Sequence, residues 1–354
     1  MSYQLTIEPL GATIEVASGQ SMLDAALRQG IYLPHACGHG LCGTCKVQVC
    51  EGEVDHGAAN PFALMDMERD NGMTLACCAT LEADTVIEAE IDDDPDAQLI
   101  PVRDFQATVT RIDSLTPSIK ALQLELDQPM RYQAGQYVQL QIPGLGQSRA
   151  FSAANAPNAE GLAQHIELHV RLVPGGAGTS WLHQQLQAGD KLVLAGPYGR
   201  FFVRHSAALP VILMAGGSGL SSIYAMLQDL LARQATEAIT LVYGQRKRQE
   251  LYYHQELQAL AAQHPRFHYV PALSDDADCS SWDGAHGWVH EVARQHFGGN
   301  FSGHKAYLCG PPPMVEACIA TLMQGRLFER DIYTEQFLSA ADVQGPRSPL
   351  FKRL

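Results

Sequence analysis

Cys37, Cys42 and Cys45, followed downstream by Cys77 and Cys78, give the C-x4-C-x2-C spacing with a distant fourth thiol that suits a plant-type [2Fe–2S] cluster. The chemistry of such a centre is one-electron transfer. Four thiolates also suit tetrahedral zinc, but zinc ligands usually come as paired C-x2-4-C knuckles, which this run is not. Gly38, Gly40 and Gly43 lie between and beside the three clustered cysteines, where they let the backbone wrap closely and turn its N–H groups toward the sulfurs. Leu75-Ala76-Cys77-Cys78 offers two adjacent thiols, which point to opposite sides if the segment is extended; spacing alone leaves that choice open. Cys50, Cys279 and Cys318 have no comparable setting and read as ordinary thiols.

Three further constellations suggest anionic and flat ligands. Arg149-Ala150-Phe151-Ser152 puts a guanidinium for phosphate, a ring for stacking and a hydroxyl for a ring nitrogen within four residues. The loop Pro174 to Ser180, with Gly176 and Thr179, leads into a helix N-terminus, a natural phosphate site. The turn Gly216-Gly217-Ser218-Gly219 joins an apolar strand to a helix and would let a pyrophosphate approach the backbone. Each is weak singly; their order along one chain says more.

The elements that must position these residues fall into three stretches. Residues 3–8 and 12–16 alternate like a hairpin, Ser21 can cap a short helix ending before Gly30, and Lys46 to Val49 and Thr85 to Ile91 give further strands. That predicts a small mixed domain of β-grasp type over residues 1–95. The run from Asp92 to Asp96, broken by Pro95, reads as a linker. Residues 101–206 hold short alternating strands between Gly/Pro turns, predicting an antiparallel β-barrel. Strands and helices alternate over 207–354, predicting a doubly wound parallel sheet with its ligand at the strands' C-terminal ends.

The chain has 354 residues and a formal charge of −14. Residues 1–100 carry 17 acidic and 3 basic side chains, leaving 21 of each in the remaining 254, so the whole imbalance belongs to the cysteine-rich domain. Such a field excludes nucleic acid as a natural partner and would steer this domain toward a basic surface. No signal peptide or membrane-length apolar run is present in the sequence, and nine cysteines then fit a reducing compartment. The expectation is a cytoplasmic protein without membrane contact.

The ordered motif set resembles the reductase components of bacterial multicomponent oxygenases, in which a plant-type ferredoxin domain is fused to a ferredoxin-NADP reductase-like module. The resemblance implies Cys37, Cys42, Cys45 and Cys77 as cluster ligands, Cys77 because in such domains the ligand directly follows a Leu-Ala or Leu-Thr pair. It implies FAD contacts at Arg149, Phe151, Ser152, Gly176 and Thr179. It implies nucleotide contacts at Gly216, Gly217, Ser218 and Gly219, and on the nicotinamide side at Cys309, Gly310, Pro311 and Met314 of the C-G-P-P-x-M match. Glu335, within Tyr333-Thr334-Glu335-Gln336-Phe337, matches the family's segment near the nicotinamide pocket. Arg149-Ala150-Phe151-Ser152, Tyr243-Gly244-x-Arg246 and Leu251-Tyr252-Tyr253-His254 are similar to the phenol hydroxylase reductase type. Two departures stand out: Phe151 replaces the commoner Tyr, and Ser222 stands where proline is frequent, which would loosen the helix start.

Electron counting supplies the implied mechanism. NADH gives a hydride and the cluster takes one electron at a time, so a flavin must stand between them. Ser152, Cys309 and Glu335 would line that transfer, and none of the 14 histidines is required. The acceptor would be the hydroxylase component of a phenol, aromatic, alkane or alkene monooxygenase, docked through the acidic domain, with the reductase otherwise monomeric. Alternatives are a reductase for a Rieske-type ring dioxygenase and a redox-sensing module without turnover. Arg246-Lys247-Arg248, with no acid at the usual ribose position, favours NADPH, whereas the resemblance implies NADH.

Overall fold

The computed structural model describes residues 1–91, 93–275 and 282–337; the expectations for Asp92 in the linker and for Cys279 lie outside them. The chain forms two compact units, divided between Arg103 and Asp104.

In the first unit, β1 (Ser2–Glu8) and β2 (Ala12–Ala17) form the expected hairpin. Ser21 Oγ accepts from the Asp24 amide at 3.2 Å and caps α1 (Met22–Arg28), whose apolar residues are buried. There follow β3 (Lys46–Glu51), β4 (Val54–Asp55), α2 (Asp66–Asp70), β5 (Met73–Leu75), β6 (Thr80–Leu81) and β7 (Thr85–Glu88). The main sheet runs β2-β1-β7-β3-β5, with β1 and β7 parallel and the other pairs antiparallel. This is the mixed sheet of a β-grasp domain. The long β3–α1 connection, residues 29–45, is the cysteine loop.

The second unit begins with β8 (Arg103–Ser114), β9 (Ile119–Arg131), β10 (Tyr137–Gln141), β11 (Arg149–Ser152), β12 (Leu162–Arg171), α3 (Ala177–Gln184) and β13 (Lys191–Tyr198). The strands form one sheet, β11-β10-β13-β8-β9-β12, and an antiparallel bridge between Ala153 and Leu168 brings its two edges together. That closure makes the barrel. Alternate inward residues such as Leu122, Leu124, Leu140, Ile166 and Leu168 fill its interior.

The remainder holds β14 (Val211–Gly216), α4 (Leu220–Ala232), β15 (Ile239–Gln245), α5 (His254–Gln263), β16 (Phe267–Leu273), β17 (Ala285–His286), α6 (Val289–His296), β18 (Lys305–Gly310), α7 (Pro312–Gln324) and β19 (Ile332–Gln336). The sheet is parallel throughout, in the order β17-β16-β15-β14-β18-β19. Every residue of β14 and β18 is buried, as a strand covered on both faces requires. The winding direction reverses at β14, so the switch point where such sheets bind ligands lies between β14 and β18.

Two turns cross there, and glycine lets them touch. A Cβ on Gly219 would lie 2.3 Å from the Cys309 carbonyl oxygen, and one on Gly216 would lie 2.3 Å from Met314 Sδ. Gly219→Ala is therefore expected to destabilise the protein by about 1–3 kcal/mol through overpacking; urea denaturation with an unchanged midpoint would show that the contact yields freely.

Candidate functional site

The cysteine loop folds around its own main chain. Gly38, Gly40 and Gly43 adopt φ of 70°, 73° and 75°, conformations that an L side chain resists. The turns they permit aim N–H groups at sulfur: His39 and Leu41 donate to Cys37 Sγ at 3.4 Å, Gly40 to Cys77 Sγ at 3.2 Å, and Cys37 to Cys42 Sγ at 3.5 Å. Donors of this kind favour thiolate over thiol.

The thiols associate in two groups, Cys37 with Cys42 and Cys77 with Cys45 and Cys78. Cys37 and Cys42 are hydrogen-bonded, which pushes Cys37 up and holds Cys42 down at about 4, while Cys77 is pushed up by its bonds to Cys45 and Cys78. Among the described residues, no three His, Cys, Asp or Glu side chains gather as a site for a single metal ion. Cys37 with Cys42 and Cys45 with Cys77 would offer two irons two ligands each, with Cys78 beside the second pair. Cys78 Sγ lies 3.7 Å from Cys77 Sγ and packs on Gly40, where a Cβ would come within 2.6 Å of it.

On the barrel, β11 pairs with β10 in the register Tyr137↔Ser152 to Leu140↔Arg149, leaving Ser152 buried and Phe151 half-buried against the barrel core. Arg149 reaches the start of α3: a Cβ on Gly178 would be 3.5 Å from Arg149 Cγ. The structure thus joins the two separate phosphate motifs. Gly176 caps α3 without a side-chain bond, and first-turn N–H groups have no acceptor inside a helix. Thr179 plays an additional part, since its hydroxyl accepts from the Val173 amide at 3.0 Å and donates to the Gly176 carbonyl at 3.4 Å, which holds the loop in shape.

The switch point assembles the rest. Glu335, on β19, has one carboxylate oxygen, Oε2, that accepts from Ser152 Oγ at 3.0 Å, from Ser222 Oγ at 2.8 Å and from Cys309 Sγ at 3.9 Å. Barrel, α4, β18 and β19 therefore meet at one atom. Burial pushes this carboxyl up to about 7, against the downward pull of the two serines and Cys309. Ser222 does not loosen its helix: α4 runs unbroken from Leu220, and the Ser222 hydroxyl is fully buried in this cluster. Gly216, Gly310, Pro311 and Met314 pack against one another here, while Gly217 (φ 61°) faces Arg171, whose Nη1 would be 3.7 Å from a Cβ at that position.

Arg171 and a second polar cluster escaped the sequence reading. Glu167, His169 and Arg171 alternate along one face of β12. Glu167 Oε1 accepts from His169 Nε2 at 2.6 Å and from Tyr253 at 2.5 Å, and Gln123 binds its other oxygen. His169 Nδ1 meets Tyr252 at 3.2 Å. Burial raises the Glu167 carboxyl, but these bonds prevail and hold it at about 2. The network ties β12 to the segment before α5, where Tyr253 takes a φ of 56°. The signal was the polar alternation itself, interleaved with the core residues Ile166, Leu168 and Val170.

Residues 5–82 match the 2Fe-2S iron-sulfur cluster binding domain, 106–203 the oxidoreductase FAD-binding domain and 213–319 the oxidoreductase NAD-binding domain. The chain is 57% identical, over the full length of both, to the phenol 2-monooxygenase reductase component DmpP of Pseudomonas sp. (strain CF600). It belongs to the reductase components of multicomponent monooxygenases. The reductase is also 52% identical to the phenol hydroxylase P5 protein of Acinetobacter pittii (strain PHEA-2), again over both full lengths. Among solved structures it resembles the Amycolatopsis cytochrome P450 reductase GcoB, with a TM-score of 0.86, 35% identity and coverage of 95% of this chain and 98% of that one. It is thus an NAD(P)H-dependent iron–sulfur flavoprotein oxidoreductase, and its FAD, NAD and [2Fe–2S] domains confirm the expected fold class.

The raised Glu335 carboxyl has a pH consequence. The folded protein keeps this proton up to about 7, whereas an ordinary glutamate loses it near 4.5, so stability contributed by the neutral form is present below the lower value and is lost as pH rises through the interval. In flavin-free protein, Glu335→Gln is expected to flatten that decline between pH 5 and 8 in denaturant titrations; parallel wild-type and variant curves would contradict the assignment.

Proposed function

We propose that this reductase serves a phenol-hydroxylating monooxygenase, drawing on NADH and delivering electrons singly to the hydroxylase component. The observation that carries the reading is the Ser152–Glu335–Ser222–Cys309 cluster, which joins the flavin-motif strand to the nucleotide turn at one carboxylate. Identity to two phenol-system reductases over their full lengths supports the substrate class. Three domains fit the work: residues 1–95 for the cluster, 101–206 for FAD and 207–354 for the nucleotide.

Bound together, nicotinamide, flavin and cluster supply the conversion of a hydride into single electrons. The chain's own residues prepare their places. Cys37, Cys42, Cys45 and Cys77 act as the cluster ligands, with the N–H groups of residues 39–41 offsetting thiolate charge. Arg149 and the start of α3, from Gly176 to Thr179, bind the FAD phosphates, Phe151 packs on the flavin or its ribityl chain, and Ser152 orients the ring. The turn Gly216 to Gly219 takes the nucleotide pyrophosphate, helped by Arg171 from the barrel. Gly310, Pro311 and Met314 shape the nicotinamide side, where Cys309 and Ser222 hold Glu335. That carboxyl, able to keep a proton near neutrality, anchors Ser152 Oγ and excludes water behind it.

The acidic first domain is the docking face for a basic patch on the hydroxylase, and the reductase is monomeric and cytoplasmic. Among the described residues no helix is long and apolar enough to cross a membrane.

Anaerobic NADH titration, following flavin absorbance and the reduced-cluster electron paramagnetic resonance signal together, tests the core of the reading. Both are expected to respond; flavin bleaching with no cluster signal would remove the cluster assignment. With the CF600 phenol hydroxylase as acceptor, raising salt from 50 to 300 mM is expected to slow electron delivery while leaving NADH–ferricyanide turnover nearly constant. Equal sensitivity of the two rates would argue against docking through the acidic domain.

A further inference from the structure

We propose that Asp275 sets the reductase's preference for NADH by engaging Arg246, so that the one cation best placed to receive a 2′-phosphate is already paired. The inference rests on the NADH reading above and names the residue responsible for it.

The end of β15 carries Gln245-Arg246-Lys247-Arg248 with no acid among them, and in dinucleotide folds an arginine at this place accommodates a 2′-phosphate whereas an acid binds the ribose hydroxyl. Taken alone, this strand end favours NADPH. The neighbouring strand changes the outcome. β15 and β16 are parallel and in register to Gln245↔Leu273, and their pairing continues past the strands: the Ser274 amide donates to the Gln245 carbonyl at 3.0 Å and the Asp275 amide to the Arg246 carbonyl at 2.9 Å. The backbone therefore delivers Asp275 directly beside Arg246, and Arg246 Nη2 donates to Asp275 Oδ2 at 3.0 Å.

This strand end belongs to the nucleotide site. Gln245 Nε2 donates to Tyr243 Oη at 2.7 Å and to the Gly217 carbonyl at 3.4 Å, which ties the residue before Arg246 to the pyrophosphate turn. Arg248 lies over Trp282, with its guanidinium 6.0 Å from the centre of the ring.

The pair is open to solvent, with side-chain exposures of 71% and 55%, so it does little for stability. Its effect is on selection. A ribose 2′-hydroxyl can donate to the carboxylate, whereas a 2′-phosphate must displace the carboxylate from Arg246 or face it across a few ångströms. Discrimination then comes from a repulsive group set against the wrong nucleotide. The acid expected on β15 is supplied by the loop after β16, a position that reading along β15 does not reach.

The test compares wild type, Asp275→Asn and the double variant Asp275→Asn with Arg246→Ala, as holoenzymes, for kcat/KM with NADPH and NADH using ferricyanide as acceptor. Binding of adenosine 2′,5′-bisphosphate and of 5′-AMP is measured alongside by calorimetry. Asp275→Asn is expected to shift the NADPH-to-NADH ratio about tenfold toward NADPH, the scale of one hydrogen bond to a charged group, and to tighten the bisphosphate but not 5′-AMP. Arg246→Ala in that background should cancel both changes. A wild type that prefers NADH while Asp275→Asn leaves the ratio and bisphosphate binding within twofold overturns the role of Asp275 and leaves the NADH reading standing. A wild type that uses NADPH as well as NADH overturns the reading, and with it the proposal.

Discussion

One carboxylate oxygen holds the reductase module together chemically. Glu335 Oε2 is the only point described above where the barrel, through Ser152, meets three elements of the parallel sheet domain, through Ser222, Cys309 and Glu335 itself. Each partner is delivered by a separate structural decision: β11 pairs with β10, α4 starts at Leu220, and β19 adds to the sheet beside β18 in the register Cys309↔Glu335. A slip of one residue in either sheet would turn its contributor to the opposite face. The geometry of the site is therefore a product of two registers rather than of one loop.

Around that point, packing and polarity share the same glycines. Gly216 and Gly219 are glycines because Met314 and the Cys309 carbonyl occupy the space a side chain would need. The resulting bare backbone is also what an approaching pyrophosphate requires. The Glu167 network does comparable service on the other side, fixing β12 to the Tyr252–Tyr253 segment through a carboxylate kept ionised by three donors.

Much of this was legible in the sequence, for identifiable reasons. Hairpin alternation over 3–8 and 12–16, the Ser21 cap and the apolar run of β14 are local signals, and the elements appear where those signals lie. The cysteine ladder and the flavin and nucleotide motifs are legible because their chemistry forces adjacency in sequence. What escaped was non-local. Ser222 reads as a weak helix start until β19 brings Glu335 to it. His169 looks like a surface residue until the barrel strand that carries it is set against the nucleotide domain. The Asp275 partner of Arg246 is invisible along β15 because it arrives from the loop after the neighbouring strand. Cross-strand proximity has no signature in a single chain's periodicity.

The cysteine loop meets its sulfurs mainly with main-chain N–H groups, from Cys37, His39, Gly40, Leu41 and Thr44, joined at Cys42 by the Thr44 hydroxyl. A donor that belongs to the backbone cannot be removed by exchanging the side chain it precedes. The identity of residues 39 and 41 is thus free to drift without altering the charge balance at the sulfurs, whereas the three left-handed glycines are not. The loop's electrostatics are encoded largely in its dihedral angles, so its tolerance to substitution is set by conformation and, at Thr44, by one hydroxyl.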